Sequence, residues 1–153
     1  MKRFFRPLRA AVVALAGLVA AGASAQEALR PTPSDALGPF YKPGAPLRSS
    51  VGQGYVLSGR VLSARDGSAL PGAVLELWLA GPDGDYADDY WASILADAEG
   101  RYRFTSHVPG PYAGRPPHLH LRVSAAGHET LVTQHYPQRG RREATFDLVL
   151  PAR

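Results

Sequence analysis

The 153-residue sequence predicts an all-β chain, an antiparallel β-sandwich, on three observations. Short runs of strand formers alternate between apolar and polar residues, most clearly Val74–Leu79 (VLELWL). Gly- and Pro-bearing turns such as Asp66-Gly67, Pro71-Gly72 and Glu99-Gly100 separate these runs. No sustained helical period of 3.6 appears anywhere, so helices are not expected to cover the sheets. The expected sandwich is immunoglobulin-like or prealbumin-like, with long irregular loops and an extended N-terminal arm.

Residues 1–25 read as a cleaved signal peptide. Lys2, Arg3, Arg6 and Arg9 make a basic start, Ala10–Ala23 is a small-residue apolar run, and Ala23-Ser24-Ala25 fits a cleavage site. The run is short for a membrane anchor, so no stable span is expected after cleavage, and the protein is expected to be exported, either periplasmic or secreted. Lys2-Arg3 before Phe4-Phe5 resembles a twin-arginine signal without the second arginine. Removing this segment also removes the basic character. The chain has 17 Lys and Arg against 13 Asp and Glu; four of the basic residues and none of the acidic ones lie in it, leaving 13 against 13. A net charge of zero gives no reason to expect a nucleic-acid partner. Cysteine is absent, which excludes disulfides, thiolate metal sites and a Cys nucleophile.

Residues 26–50 form a Pro-rich arm with little periodicity, in which Leu37-Gly38-Pro39-Phe40-Tyr41 reads as an aromatic turn packed on the domain. Residues 51–153 form the sandwich core. Its expected strands are Tyr55–Leu62, Val74–Leu79, Arg101–Ser106, one beginning at His118, Leu131–Tyr136 and Thr145–Leu150. Trp91–Ala96 is ambiguous between a short helix and irregular structure. The Asp-rich loop 83–89 lacks the spacing and terminal glutamate of a calcium loop and reads as solvated. The run Arg139-Gly140-Arg141-Arg142 also reads as a solvated loop, and Gly127-His128 as a hairpin turn.

The chemistry concentrates in Pro109–His120, where a phenol, a guanidinium and two imidazoles fall within twelve residues. Four prolines and two glycines keep its first part out of a helix. From His118 the pattern alternates, with His118, His120 and Arg122 on one face and Leu119, Leu121 and Val123 on the other. Residues one pleat apart have Cβ atoms roughly 6.5–7 Å apart, which lets two imidazoles converge on one metal ion. A His-x-His pair alone is also compatible with a solvated polar face. A ferrous site of two histidines and a carboxylate is poorly supported, because no carboxylate lies near in sequence. Zinc held by His118, His120 and either His128 or His135 stays open. So does ferric iron with tyrosinate donors, because two phenolates and a hydroxide cancel three positive charges while two neutral imidazoles complete the shell. Tyr112 lies six residues before His118 and Tyr86 sits in the loop after Val74–Leu79, but spacing alone does not make either a ligand.

The motifs Gly38-Pro39-Phe40-Tyr41, Glu76-Leu77-Trp78, Gly84-Asp85-Tyr86, Pro109-Gly110-Pro111-Tyr112, Arg115-Pro116-Pro117-His118-Leu119-His120 and Thr133-Gln134-His135-Tyr136 resemble those of the intradiol ring-cleavage dioxygenases. That is the family of catechol 1,2-dioxygenase and protocatechuate 3,4-dioxygenase. The resemblance implies one Fe(3+) per chain, with Tyr112 and His120 axial and Tyr86, His118 and hydroxide equatorial. It implies a small aromatic diol and O2 as substrates. The ring would open between the two hydroxylated carbons to give a cis,cis-muconate that contains both oxygen atoms. By the same resemblance, Tyr112 leaves the metal and accepts a substrate proton, and Arg115 stabilises negative charge on the ring. Gln134 orients the substrate, and Phe40 and Tyr41 line its pocket. Only Ala113 and Gly114 separate Tyr112 from Arg115, a short loop that implies an open pocket. Self-association is compatible with the resemblance, whereas Thr133-Gln134-His135-Tyr136-Pro137 departs from the family's usual ending, and the extra histidine, His135, would alter the pocket or bind a second metal. The competing expectations are the zinc site and a non-catalytic exported β-sandwich binding module, neither of which needs Tyr86 or Tyr112.

Overall fold

The computed structural model describes residues 28–153, so the expected signal peptide at 1–25 lies outside the described residues. Eight strands form two facing sheets. They are β1 (Tyr55–Ser63), β2 (Val74–Leu79), β3 (Trp91–Leu95), β4 (Arg101–Ser106), β5 (Leu119–Ser124), β6 (Leu131–His135), β7 (Glu143–Thr145) and β8 (Leu148–Leu150). One sheet runs β3-β2-β5-β6, all antiparallel; in the other, β1 pairs antiparallel with β4 and parallel with β7 and β8. Among the described residues no helix is long and apolar enough to cross a membrane.

Strand alternation builds the core. Leu75, Leu77 and Leu79 of β2 and Leu119, Leu121 and Val123 of β5 turn inward and are fully buried, with Leu57 and Val61 of β1, Phe104 of β4, and Leu148 and Leu150 of β8 also completely buried in the same core. The residues between them on β2 and β5 form the outer face of their sheet. Trp78 and His120 nevertheless stay almost wholly buried, because the arm and two loops cover that face.

The sandwich departs from expectation in three places. Trp91–Leu95 is a strand: Ala92 and Ile94 face the core, and the backbone pairs with β2 from Trp78↔Trp91 to Val74↔Leu95. A three-residue 3-10 turn, Asp88–Tyr90, precedes it. The expected last strand is two strands, β7 and β8, interrupted at Phe146-Asp147, and both run parallel to β1, which makes that sheet mixed. At the break the chain crosses β1 closely. Phe146 N donates to Ser58 O at 2.7 Å, Arg60 N donates to Asp147 Oδ1 at 2.8 Å, and Tyr102 Oη donates to Phe146 O at 2.5 Å. Finally, β5 begins at Leu119, with His118 just before it.

The arm takes a long path over the surface. Thr32 N donates to Val149 O, Asp35 N to Val132 O, and Thr133 Oγ1 to Pro33 O, so the arm passes from β8 to β6. Beyond the aromatic turn, Ser93 N donates to Pro46 O and Thr105 N to Ser49 O, which carries the arm across β3 and β4 before it enters β1. Phe40 and Tyr41 therefore lie on the outer face of the β2–β5 sheet.

A Cβ on Gly59 would sit 2.2 Å from Phe146 O, a contact with backbone that cannot move without breaking the β7–β8 junction. Gly59→Ala is expected to destabilise the fold by about 2 kcal/mol or more, read as a lower urea midpoint with an unchanged slope.

Candidate metal centre

Register places the site. His120 on β5 lies opposite Trp78 of β2 and Gln134 of β6, and Trp78 lies opposite Trp91 of β3. Paired residues share a face, so Trp91, Trp78, His120 and Gln134 form one row across the outer face. The Trp78 indole stacks on the His120 imidazole, with centroids 4.9 Å apart and planes 6° from parallel. Tyr41 lies on the other side of Trp78, at 5.2 Å. The next row holds Glu76 and Arg122, joined at 2.6 Å, and Tyr41 Oη donates to Glu76 Oε1 at 3.1 Å. The Tyr41 ring thus reaches the imidazole through Trp78, while its hydroxyl belongs to the carboxylate–guanidinium pair.

Two loops bring the phenols in. The β2–β3 loop carries Tyr86 and the β4–β5 loop carries Tyr112. Their backbones touch where side chains are absent: a Cβ on Gly110 would lie 2.1 Å from Gly81 O, and one on Gly84 would lie 2.5 Å from Pro111 O. Glycine at those positions is what lets the loops meet. The Tyr86 and Tyr112 rings are then perpendicular, with centroids 5.2 Å apart. Phe40 stacks on Tyr86 at 4.3 Å and meets Tyr112 edge-on at 5.2 Å, so it packs against both phenol rings. Tyr112 and Arg115 close a two-residue turn in which Arg115 N donates to Tyr112 O at 2.8 Å and both Ala113 and Gly114 have positive φ. The short loop therefore sets the phenol and the guanidinium side by side.

Three donor atoms converge. His118 Nε2 and His120 Nε2 are 3.1 Å apart, and Tyr86 Oη is 3.4 Å from each. His118 Nδ1–H donates to Pro116 O at 2.8 Å, which fixes the tautomer and leaves Nε2 with its lone pair toward His120. Burial pushes the pKa of His118 down and that of His120 down to about 4, so both rings are neutral at pH 7. Two neutral nitrogens facing each other across 3.1 Å repel unless a cation or proton lies between them. Donors about 2.0–2.1 Å from a common ion lie about 3.0–3.4 Å apart at ordinary bond angles, which is the spacing seen. Burial raises the Tyr86 phenol above its ordinary pKa, so the protein alone holds it neutral and a strong cation is needed to ionise it. The donor set, imidazole plus hard phenolic oxygen, suits ferric iron.

Arg115 reaches this cluster. Its Nη1 lies 3.4 Å from His118 Nε2, and its Nη2 donates to Gln134 Oε1 at 2.8 Å. The structure does not bring the two other histidines considered for zinc. His128 Nε2 is 3.0 Å from Ser63 Oγ, and His135, on the opposite face of its strand from Gln134, has Nε2 2.7 Å from the buried Tyr55 Oη. No three His, Cys, Asp or Glu side chains gather for a metal among the described residues. Sequence reading passed over Trp78, Asp35 and Tyr136 as site neighbours. Alternation already put Trp78 on the polar face of β2, but only strand register shows that it meets His120.

The low pKa of His120 has a consequence for stability. Its imidazole binds a proton near pH 6.5 in the unfolded chain and only near pH 4 in the fold, so between these values the unfolded state holds the extra proton. The metal-free chain is expected to lose stability as pH falls from about 6.5 to about 4, with a slope approaching about 1.4 kcal/mol per pH unit for this group. Urea unfolding at several pH values checks this, and His120→Asn should flatten the slope.

A family model described as Dioxygenase matches residues 44–115, a span that contains Tyr86, Tyr112 and Arg115 and ends before His118. Catechol 1,2-dioxygenase 2 of Acinetobacter lwoffii is 34% identical over 138 residues, covering 67% of this chain and 50% of that protein. Chlorocatechol 1,2-dioxygenase of Pseudomonas sp. strain P51 is 29% identical over 137 residues, covering 67% of this chain and 54% of that one. The chain spans about half the length of the curated relatives it matches. Among solved structures, the dioxygenase domain of a dioxygenase–carbohydrate-binding protein fusion from Streptomyces sp. SirexAA-E superposes with a TM-score of 0.73 at 29% identity, covering 81% of this chain and 100% of that one. Catechol 1,2-dioxygenase from Pseudomonas arvilla C-1 gives a TM-score of 0.66 at 28% identity, covering 79% of this chain and 62% of that one. The match to this class extends through both tyrosine-bearing loops and over the whole length of a solved dioxygenase domain, and the chain belongs to the intradiol dioxygenase family.

Proposed function

We propose that the protein is an exported ferric dioxygenase that opens a catechol-type ring between its two hydroxylated carbons, placing both atoms of O2 in a cis,cis-muconate. The observation that carries this reading is the convergence of His118 Nε2, His120 Nε2 and Tyr86 Oη within 3.1–3.4 Å of one another, beside a second phenol. Tyr86, Tyr112, His118 and His120 would hold the iron. When bound, ferric iron supplies Lewis-acid activation of the diol toward O2.

The chain's own groups do the remaining work. Pro116 O and the Trp78 ring orient the two imidazoles before substrate arrives. Tyr112, half-buried on an exposed turn, is the phenol assigned as proton acceptor, and its oxygen would take one of the two protons that the diol loses. Phe40 shields the phenols on the arm side. Arg115 places a fixed positive charge next to the donor cluster, where negative charge on an activated ring would develop, and Gln134 Oε1 holds that guanidinium from behind. The small-residue apolar segment with its basic start supports export.

The test is an anaerobic titration of the iron-loaded protein with several catechols, followed by O2 and product analysis. A coloured complex that yields a muconate supports the reading, and a colourless protein inert to every diol after ferric reconstitution ends it. Tyr112→Phe is expected to weaken the visible tyrosinate band and lower turnover at least tenfold. His118→Ala is expected to remove nearly all bound iron, measured by metal analysis of the purified variant.

A further inference from the structure

Arg115 leaves an exposed turn, and a guanidinium on such a turn has many rotamers. Two side chains on β6 and just beyond it hold it. Nη2 donates to Gln134 Oε1 at 2.8 Å and to Tyr136 Oη at 3.0 Å. Tyr136 Oη accepts from Arg115 and has one proton of its own to give. Two acceptors lie within reach, Asp35 Oδ2 at 3.0 Å and Gln134 Oε1 at 2.9 Å. The carboxylate is the stronger acceptor. It stays ionised because Ala36 N donates to Oδ1 at 2.6 Å and holds the Asp35 carboxyl below its ordinary pKa. The proton of Tyr136 therefore goes to Asp35, and the bonds run from Arg115 through Tyr136 to the arm.

A second branch ends at the same place. Gln134 Nε2 donates to Ala36 O at 2.6 Å, so both residues that grip Arg115 are themselves gripped by two consecutive residues of the arm. That segment is pinned to the sheet by Asp35 N donating to Val132 O at 2.9 Å. Three residues on, a Cβ on Gly38 would lie 2.9 Å from His120 Cε1, so the arm also abuts the imidazole. No direct Arg115–Asp35 ion pair is formed among the described residues, so the carboxylate acts through the phenol.

We propose that Asp35 is a positioning residue for the reaction: through Tyr136 it sets the orientation of the Arg115 guanidinium, which makes the docked arm part of the catalytic apparatus. The role rests on the reading above, in which Arg115 supplies the cation at the reacting ring. Asp35 and Tyr136 are both exposed, Tyr136 by 41%, so the contribution comes from fixing geometry and not from ion-pair energy in a dry site.

Two measurements test this. With iron-loaded protein, D35A and Y136F are expected to keep full iron content, the visible band and KM within about twofold, while kcat falls about tenfold. D35N, which retains an oxygen acceptor, should recover part of that loss. In an R115A background, D35A should cost nothing further, because its effect passes through the missing side chain. Wild-type kcat in D35A, or an equal loss from D35A with and without Arg115, overturns the proposal. The second measurement needs no turnover. In the full chain free of paramagnetic iron and labelled with 15N-arginine, the Arg115 Nη2–H signal, assigned by its absence in R115K, should exchange with water about tenfold faster in D35A and in Y136F. Unchanged exchange refutes the relay even where the wild type is active. Faster exchange in a protein inert to all diols retains the relay and removes the catalytic reading alone.

Discussion

Two imidazole nitrogens 3.1 Å apart, one with its lone pair directed at the other, are the constraint around which the outer face of this sandwich is built. In the metal-free chain a proton between them satisfies the contact but leaves His120 Nδ1 buried without a partner, and several features hold the pair in place. The Pro116 carbonyl fixes one ring by its far nitrogen, and the Trp78 indole fixes the other by stacking. A phenol whose own burial disfavours ionisation closes the third side. A cation at the common point would accept both nitrogen lone pairs and let the phenol give up its proton. The packing thus presents a donor set that a strongly charged metal would fit.

The same face shows how a thin sheet can bury polar chemistry. Trp78, His120 and Gln134 lie on the side of β2, β5 and β6 away from the core, yet each is at most 5% exposed. Their cover comes from the arm and from the two glycine-rich loops, not from a second sheet. These coverings also carry functional groups, Phe40 from the arm and Tyr86 and Tyr112 from the loops. Shielding and site assembly are one event, since removing the arm would expose the imidazoles and release the residues that steady Arg115. Glycine is required at Gly84 and Gly110 because backbone meets backbone there, at Gly81 because the Tyr90 ring lies against it, and at Gly38 because backbone meets an imidazole.

Legibility followed the range of the interaction. Period-two alternation located β2 and β4 to the residue: in β4 the two faces differ in burial, and in β2 alternate leucines form the core face although both faces are covered. Trp91–Leu95 escaped such a reading: a five-residue edge strand is defined by the β2 backbone beside it as much as by its own composition. The division of the last strand escaped too, since it arises from the passage of Phe146-Asp147 over Gly59, far away in sequence. In the site, the pleat spacing of His118 and His120 pointed to shared direction. The two tyrosines were found only through motif resemblance, because they lie on separate loops. Tyr136 appeared only as the end of a motif with no role attached, and Asp35 had no local signal; their hydrogen bond joins residues 101 apart.

By itself the sequence determined that the chain is a β-sandwich without disulfides, that no thiol takes part in its chemistry, and that two histidines one pleat apart share a face. These follow from composition and from a periodicity that every strand imposes on its own residues. The tertiary structure decided which phenol stands against which imidazole, that His128 and His135 are engaged elsewhere, and that the arm reaches the guanidinium. Those outcomes depend on strand register and on loop backbones in contact, and neither is encoded within any one segment, because both are set by the mutual fit of surfaces that come together only when the chain is folded.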